Sequence, residues 1–352
     1  MCLFKIVHII PSLEEGGAER FVVDLCNALS VRKEVKVYLI TLFDINEKMF
    51  LAKHLVPEVT VVSLKKRLGF DLTMFGKLYR LIGEIKPNIV HTHLRTFDYN
   101  WLNLLLRNKI HYFHTLHSDA LVECPSLNTR IIRKYFYRRN VVPVTISEQS
   151  SVSFQKTYNL NNDVLIYNGR QDLVRSTKYK QTAREFKERF RLTENTRVIV
   201  NVANISPIKN QLELVQAITR LTDEKEDVVL LLIGIAKSAE NEQYEAKIAN
   251  YLNDRIFVLG VKDNVEDYLF LSDAFCLSSV VEGMPITIIE SFSAGCIPVC
   301  TPVGGIPNMI TDGWNGILGK GSDKSDIYRM IKKFLQLPEY MRIKMKDNAR
   351  SS

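Results

Sequence analysis

Short β-branched runs alternate with amphipathic stretches of helical period along almost the whole chain, and no other feature restricts the fold as much. In the first half the strand-like runs fall at 5–10, 35–42, 59–63, 89–91, 112–115, 142–146 and 164–166, with apolar residues at helical spacing between them. Strand and helix in strict turn predict parallel sheets covered by helices on both faces, so the fold class is α/β. Residues 171–196 interrupt the series: they are polar and charged and carry no strand signal. A second series follows, with strands at 197–202, 228–233, 256–259, 274–277 and 297–300. A chain of 352 residues is longer than one hydrophobic core usually serves, which fits two doubly wound, Rossmann-like domains, residues 1–170 and 171–352. Such sheets bind ligands beyond the carboxyl ends of their strands, so the two domains are expected to turn their loop-bearing edges toward a central cleft.

Composition removes several function classes. With 46% hydrophobic and 24% charged residues the chain reads as an ordinary soluble globular protein. Its longest uncharged apolar run, 228–236, is less than half of the roughly 20 residues that span a bilayer. The short apolar stretch near the amino terminus is followed by acidic residues and has no small-residue cleavage site, so no secretion signal is expected. Six cysteines are too few for a disulfide scaffold, and a reducing cytoplasm is the expected location. The net charge of +8 is all in the first half, where 23 Lys+Arg face 15 Asp+Glu, and this points to an anionic partner. Arg130, Arg133, Lys134, Arg138 and Arg139 interleave with Tyr135, Phe136 and Tyr137, and no acid occurs between Cys124 and Ser147. As a helix this stretch is expected to lie peripherally on the anionic inner face of a membrane. No recognition module for nucleic acid accompanies the charge.

The loops after predicted strands carry the chemistry. Gly16 and Gly17 follow the first strand and open a helix, where glycines let a backbone turn tightly and approach a phosphate. They do not form G-x-G-x-x-G, so a nicotinamide or flavin dinucleotide is poorly supported. In the second half Lys209 stands in a loop after a strand and suits a diphosphate as a point cation. Glu282 and Glu290 flank a helix start marked by Pro285, a residue at home in a first helical turn. Glu282 can accept from sugar hydroxyls, and Glu290 can take a vicinal diol such as a ribose. Each signal alone is commonplace, being an ordinary turn, a solvated lysine or two surface charges. Together they describe a nucleotide diphosphate site.

These residues sit in a longer set of motifs: GGAER at 16–20, HTH at 91–93, TLHSD at 115–119, TIS at 145–147, YNG at 167–169, SPIKN at 206–210, EGMPITIIE at 282–290, PVGGIP at 302–307 and DGWNGIL at 312–318. In this order they resemble the GT-B glycosyltransferases of family 4, over nearly the whole chain. The resemblance implies retention of anomeric configuration, no metal and no cofactor, with a nucleotide diphosphate sugar as donor substrate and a surface polysaccharide or lipid-linked glycan as acceptor. It implies that Gly16 and Gly17 lie against the donor phosphate and acceptor pocket, and that His117 contacts the donor sugar near the transferring centre. Lys209 would pair with the diphosphate, Glu282 with sugar hydroxyls beside the reacting carbon, and Glu290 with the ribose. The backbone of Gly283, Met284 and Pro285 would surround the sugar, in transfer of a hexose-type unit. All seven histidines precede residue 118, but no cysteine or carboxylate set accompanies them at zinc-ligand spacing. Two rivals stay open: a nucleotide-sugar epimerase on the same scaffold, and a sugar-nucleotide-binding homologue without catalysis.

Overall fold

The structure, a computed structural model, describes residues 3–46 and 49–352. The chain divides into two compact units, Met1–Gly169 and Arg170–Ser352. The first holds β1 (Phe4–Ile10), β2 (Val35–Thr41), β3 (Thr60–Ser63), β4 (Ile89–His93), β5 (His111–Leu116), β6 (Val141–Thr145) and β7 (Val164–Leu165) in one parallel sheet of order β3-β2-β1-β4-β5-β6-β7. The second holds β8 (Arg197–Val202), β9 (Val228–Ile233), β10 (Ile256–Gly260), β11 (Ala274–Leu277), β12 (Ile297–Cys300) and β13 (Ile317–Leu318) in the order β10-β9-β8-β11-β12-β13.

Both sheets are buried on two faces, and the sequence shows why. β9 reads Val-Val-Leu-Leu-Leu-Ile, and all six residues are buried, as a central parallel strand requires. On one side of the first sheet Val7, Ile9 and Val90 pack with Phe97, Tyr137 and Phe154. On the other Ile10, Val37 and Leu39 pack with Val22, Val23 and Cys26 of the helix Gly17–Ser30. The five cysteines among the described residues are free and buried, while Cys2 lies outside those residues.

Among the elements that the sequence reading does not give are one helix and one strand, besides the two carboxy-terminal helices Lys324–Leu335 and Glu339–Arg350. The polar stretch after Arg170 contains a helix, Tyr179–Arg189, whose buried residues are only Thr182 and Phe186. So narrow an apolar stripe gives little helical periodicity to read. β13 has two residues and follows the turn at Gly313, so it is too short for any pattern.

In each sheet the order reverses beside the strand that comes first in the chain. β1 is flanked by β2 and β4, and β8 by β9 and β11. Loops leaving the two neighbours at such a reversal diverge and open a crevice. This singles out the segments after β1, β4, β8 and β11.

Candidate functional site

The second unit builds its reversal tightly. After β8 a short 3-10 turn, Pro207–Lys209, ends at Asn210 in a left-handed conformation and leads into the helix Gln211–Asp223. After β11 two buried serines take opposite tasks. Ser278 donates to the carbonyls of Lys209 and Asn210 at 3.0 and 3.2 Å, tying one loop to the other. Ser279 donates to Glu282 Oε1 at 2.5 Å. The same oxygen receives Lys209 Nζ at 2.6 Å. The side chain of Glu282 is 8% exposed and that of Lys209 27%, so the pair is held in a partly dry setting where a charge-assisted bond is strong. Thr301 at the end of β12 fixes Ser279 by donating to its carbonyl at 2.7 Å.

The loop around Gly304 closes on the same place. Gly304 has φ +60°, and a Cβ there would lie 2.1 Å from the carbonyl oxygen of Glu282. Gly305 N–H donates to the Gly283 carbonyl at 2.6 Å. Glycine is required at 304 both for its backbone angle and for this close approach. Pro285 is the N-cap, and the helix runs Ile286–Ala294 from the half-buried Gly283-Met284-Pro285 segment.

Sequence reasoning therefore finds Lys209 and Glu282, and the structure brings them into contact. Glu290 lies just over one turn into that helix. It is buried, with Oε1 2.8 Å from Arg170 Nε, in an ion pair almost closed to solvent. Arg170, Ser278, Ser279 and Thr301 were not singled out from the sequence. For the serines a signal exists in hindsight, two hydroxyls directly after an apolar strand, whereas nothing local marks Arg170 as a partner 120 residues from Glu290.

In the first unit the paired glycines do not make the expected tight turn. Gly16 is extended, with φ −175°, and caps the helix Gly17–Ser30, while a Cβ on Gly17 would meet nothing within 4 Å. Only Gly17 leaves open space at the helix start, because a Cβ on Gly16 would meet the Glu19 carboxylate. His117 follows β5 directly. Its backbone N–H donates to Glu123 Oε2 at 3.0 Å, and Glu123 Oε1 takes His114 Nε2 at 3.1 Å. Burial alone would raise the Glu123 carboxyl, but the bond from His114 and the charges of Arg133 and nearby histidines outweigh it and hold it below its ordinary value. Asp119 caps the short helix Ala120–Glu123, accepting from Leu121 N at 2.8 Å.

His8, His91, His93 and His117 form a polar layer, buried at His8 and His93 and half-buried at His91 and His117, that the sequence did not disclose. Register sets His8 beside His91 on adjacent strands, and alternation puts His91 and His93 on one face. His8 Nδ1 lies 3.1 Å from His93 Nε2, and His93 Nδ1 lies 3.1 Å from His117 Nε2. Burial lowers both His8 and His117 to about 4 and drives His91 and His93 well below the usual imidazole value, so all four are neutral near pH 7. Among the described residues, ring nitrogens of His8, His91 and His93 lie within 4.8 Å of one another, a spacing that also suits a metal ion. The His8–His93 contact, read as a hydrogen bond, needs a proton on one of its two nitrogens.

The basic helix, Leu127–Tyr137, needs correction. Arg133 is 1% exposed and makes two bonds of 2.9 Å to Asp98, with Glu123 Oε1 3.8 Å from its other terminal nitrogen. Phe136 and Tyr137 are buried in the core. These three residues cannot face a bilayer, because helical spacing turns them to the inward side. Arg138 and Arg139 are exposed, and Arg130 and Lys134 are half-buried. An apolar row of which the sequence reading names only Tyr135, formed by Leu127, Ile131 and Tyr135, is exposed at i, i+4, i+8. A second bare segment is the loop before the helix Thr73–Ile85, where Leu68 is 92% exposed and Phe70 and Leu72 are also bare, next to Lys65, Lys66 and Arg67.

Two parallel α/β units in one chain, each with a strand-order reversal, are the architecture of the GT-B fold. Residues 15–171 match the family model described as Glycosyltransferase Family 4, and residues 182–352 match that of Glycosyl transferases group 1. The chain belongs to the family 4 glycosyltransferases. It is 25% identical over 305 residues to N-acetyl-alpha-D-glucosaminyl L-malate synthase of Bacillus anthracis, covering 84% of this chain and 78% of that one. It is 22% identical over 358 residues to a Campylobacter jejuni alpha-1,4-N-acetyl-D-galactosaminyltransferase acting on an undecaprenol-linked saccharide, covering 99% and 93%. The crystal structure of Anabaena HepE with UDP and glucose shares the fold, with TM-score 0.80 at 18% identity over 99% of this chain and 94% of that one. No helix among the described residues is long and apolar enough to cross a membrane.

Proposed function

We propose that this glycosyltransferase moves a hexose-type sugar from a nucleoside diphosphate to a surface polysaccharide or lipid-linked glycan, with retention and without a metal. The observation that carries the reading is the Lys209–Glu282 contact at the reversal beside β8. Without donor the two charges neutralise each other. A diphosphate carries more negative charge than one carboxylate, so it draws the ammonium away and leaves Glu282 to accept from sugar hydroxyls. The bond from the anomeric carbon to phosphate then breaks, charge growing on the leaving oxygen is met by Lys209 and the nearby helix start, and the acceptor hydroxyl attacks from the same face while its proton leaves with the phosphate. His117 contacts the sugar, Gly16 and Gly17 lie against the donor phosphate and the acceptor pocket, and Gly283 to Pro285 surround the sugar. Glu290 holds the ribose; a carboxylate offers about four acceptor positions, so the Arg170 contact does not exhaust it.

The C. jejuni relative is named for an undecaprenol-linked substrate and a Staphylococcus aureus relative for capsular polysaccharide biosynthesis, which supports such an acceptor here. A lipid-linked acceptor calls for docking on an inner membrane face. The exposed row Leu127, Ile131 and Tyr135, flanked by Arg130, Lys134, Arg138 and Arg139, suits that better than the arginines alone. The test of the donor site is calorimetry with a panel of nucleoside diphosphate sugars. Lys209→Ala and Glu290→Ala should each weaken the best donor by roughly 10- to 100-fold, the value of a charge-assisted hydrogen bond. Unchanged affinity in both variants refutes the assignment, and turnover of the donor without any acceptor would favour an epimerase.

A further inference from the structure

The three-histidine chain has a property that follows from counting protons. A neutral imidazole carries one N–H and one lone pair. With both 3.1 Å contacts made as hydrogen bonds, only two arrangements of His8, His93 and His117 exist. In the first, His8 Nδ1–H donates to His93 Nε2, His93 Nδ1–H donates to His117 Nε2, and the His117 proton is on Nδ1. In the second every proton moves to the other nitrogen. His117 then presents a bare lone pair, and the His8 proton sits on Nε2.

His8 Nε2 decides between them. It is buried and has no partner among the described residues. The second arrangement would strand an N–H there, while the first leaves only an unused lone pair. Orphaned buried N–H groups are the rarer and costlier defect. We propose that His8 and His93 are positioning residues that fix His117 as the Nδ1–H tautomer, so that it meets an oxygen of the donor sugar or its diphosphate as a hydrogen-bond donor. The role given to His117 rests on the function proposed above; the tautomer does not.

The two therefore fail separately. Long-range nitrogen–proton correlation spectra of the ligand-free, ¹⁵N-histidine-labelled full chain at neutral pH read the tautomers directly. All three residues should show a pyrrole-type Nδ1 and a pyridine-type Nε2. Protonation of His117 at Nε2, or an averaged mixture in the native chain, overturns the proposal whatever the donor affinity. In His8→Phe, which removes the end of the chain, His117 should lose its single tautomer. In His8→Gln, whose amide can still donate to His93, it should keep it. A folded His8→Phe protein with an unchanged His117 spectrum would equally refute the coupling, and no binding experiment on Lys209 or Glu290 bears on that result.

Discussion

Mild acid should destabilise the first unit through its histidine layer, and the size of the effect can be worked out. His8 titrates at about 4 in the folded protein, against 6.5 for a free side chain, because burial disfavours its charged form. Between those values the unfolded chain binds the extra proton, so stability is full above the unfolded value and is lost as pH falls from it toward the folded one. Taking pH 5 against pH 7, the two binding curves give about 2 kcal/mol from His8 alone. His91, His93 and His117 shift the same way, but their charges repel, so the contributions do not add. Carboxylates titrate mostly below this window, and Glu123, held low, loses its contribution only at still lower pH. Trp101 is in the first unit and Trp314 in the second, so a Trp314→Phe background leaves one fluorophore that reports on the first. Urea unfolding followed there should shift its midpoint down by about 1 M between pH 7 and pH 5. In His8→Gln, which keeps a polar partner without titrating, much of that shift should vanish. A midpoint that ignores pH, or a slope unchanged in His8→Gln, would refute the neutral buried layer.

Three further outcomes follow. Gly304→Ala places a methyl against the Glu282 carbonyl at a left-handed backbone angle, which costs about 1–2 kcal/mol for the angle alone; thermal melting should fall and donor affinity with it, and a variant that binds normally would show that the loop contact is idle. Arg133→Met removes the cation from buried Glu123 and half-buried Asp98, and should destabilise the first unit by about 3 kcal/mol in urea unfolding; a neutral result would mean the network adds nothing. Ile131→Glu interrupts the exposed apolar row, so sedimentation with phosphatidylglycerol vesicles should drop several-fold while melting stays unchanged; equal binding of native and variant protein would remove the docking surface.

The fold was largely readable because buried parallel strands such as Val228–Ile233 are continuous apolar runs bounded by polar segments. The motif residues were readable where they follow such strands, as Lys209 and Glu282 do. Contacts between distant segments were not. Arg170 pairs with Glu290 across 120 positions, and the histidine layer needs the register of three strands, which no local pattern encodes. The basic helix misled because composition counts arginines without assigning them to a face: Arg133 belongs to the interior, while the neighbouring exposed leucine and isoleucine attracted no notice.

The reversal in each sheet also bears on how the chain is made. β1 and β8 leave the ribosome first in their units yet end in the middle of their sheets, and each waits roughly eighty residues for its second neighbour. Until β4 or β11 arrives, a strand built to be covered on every side keeps an open hydrogen-bonding edge, the kind of surface that pairs with another chain. Slow synthesis through those stretches would prolong that exposure, and a holding chaperone would cover it.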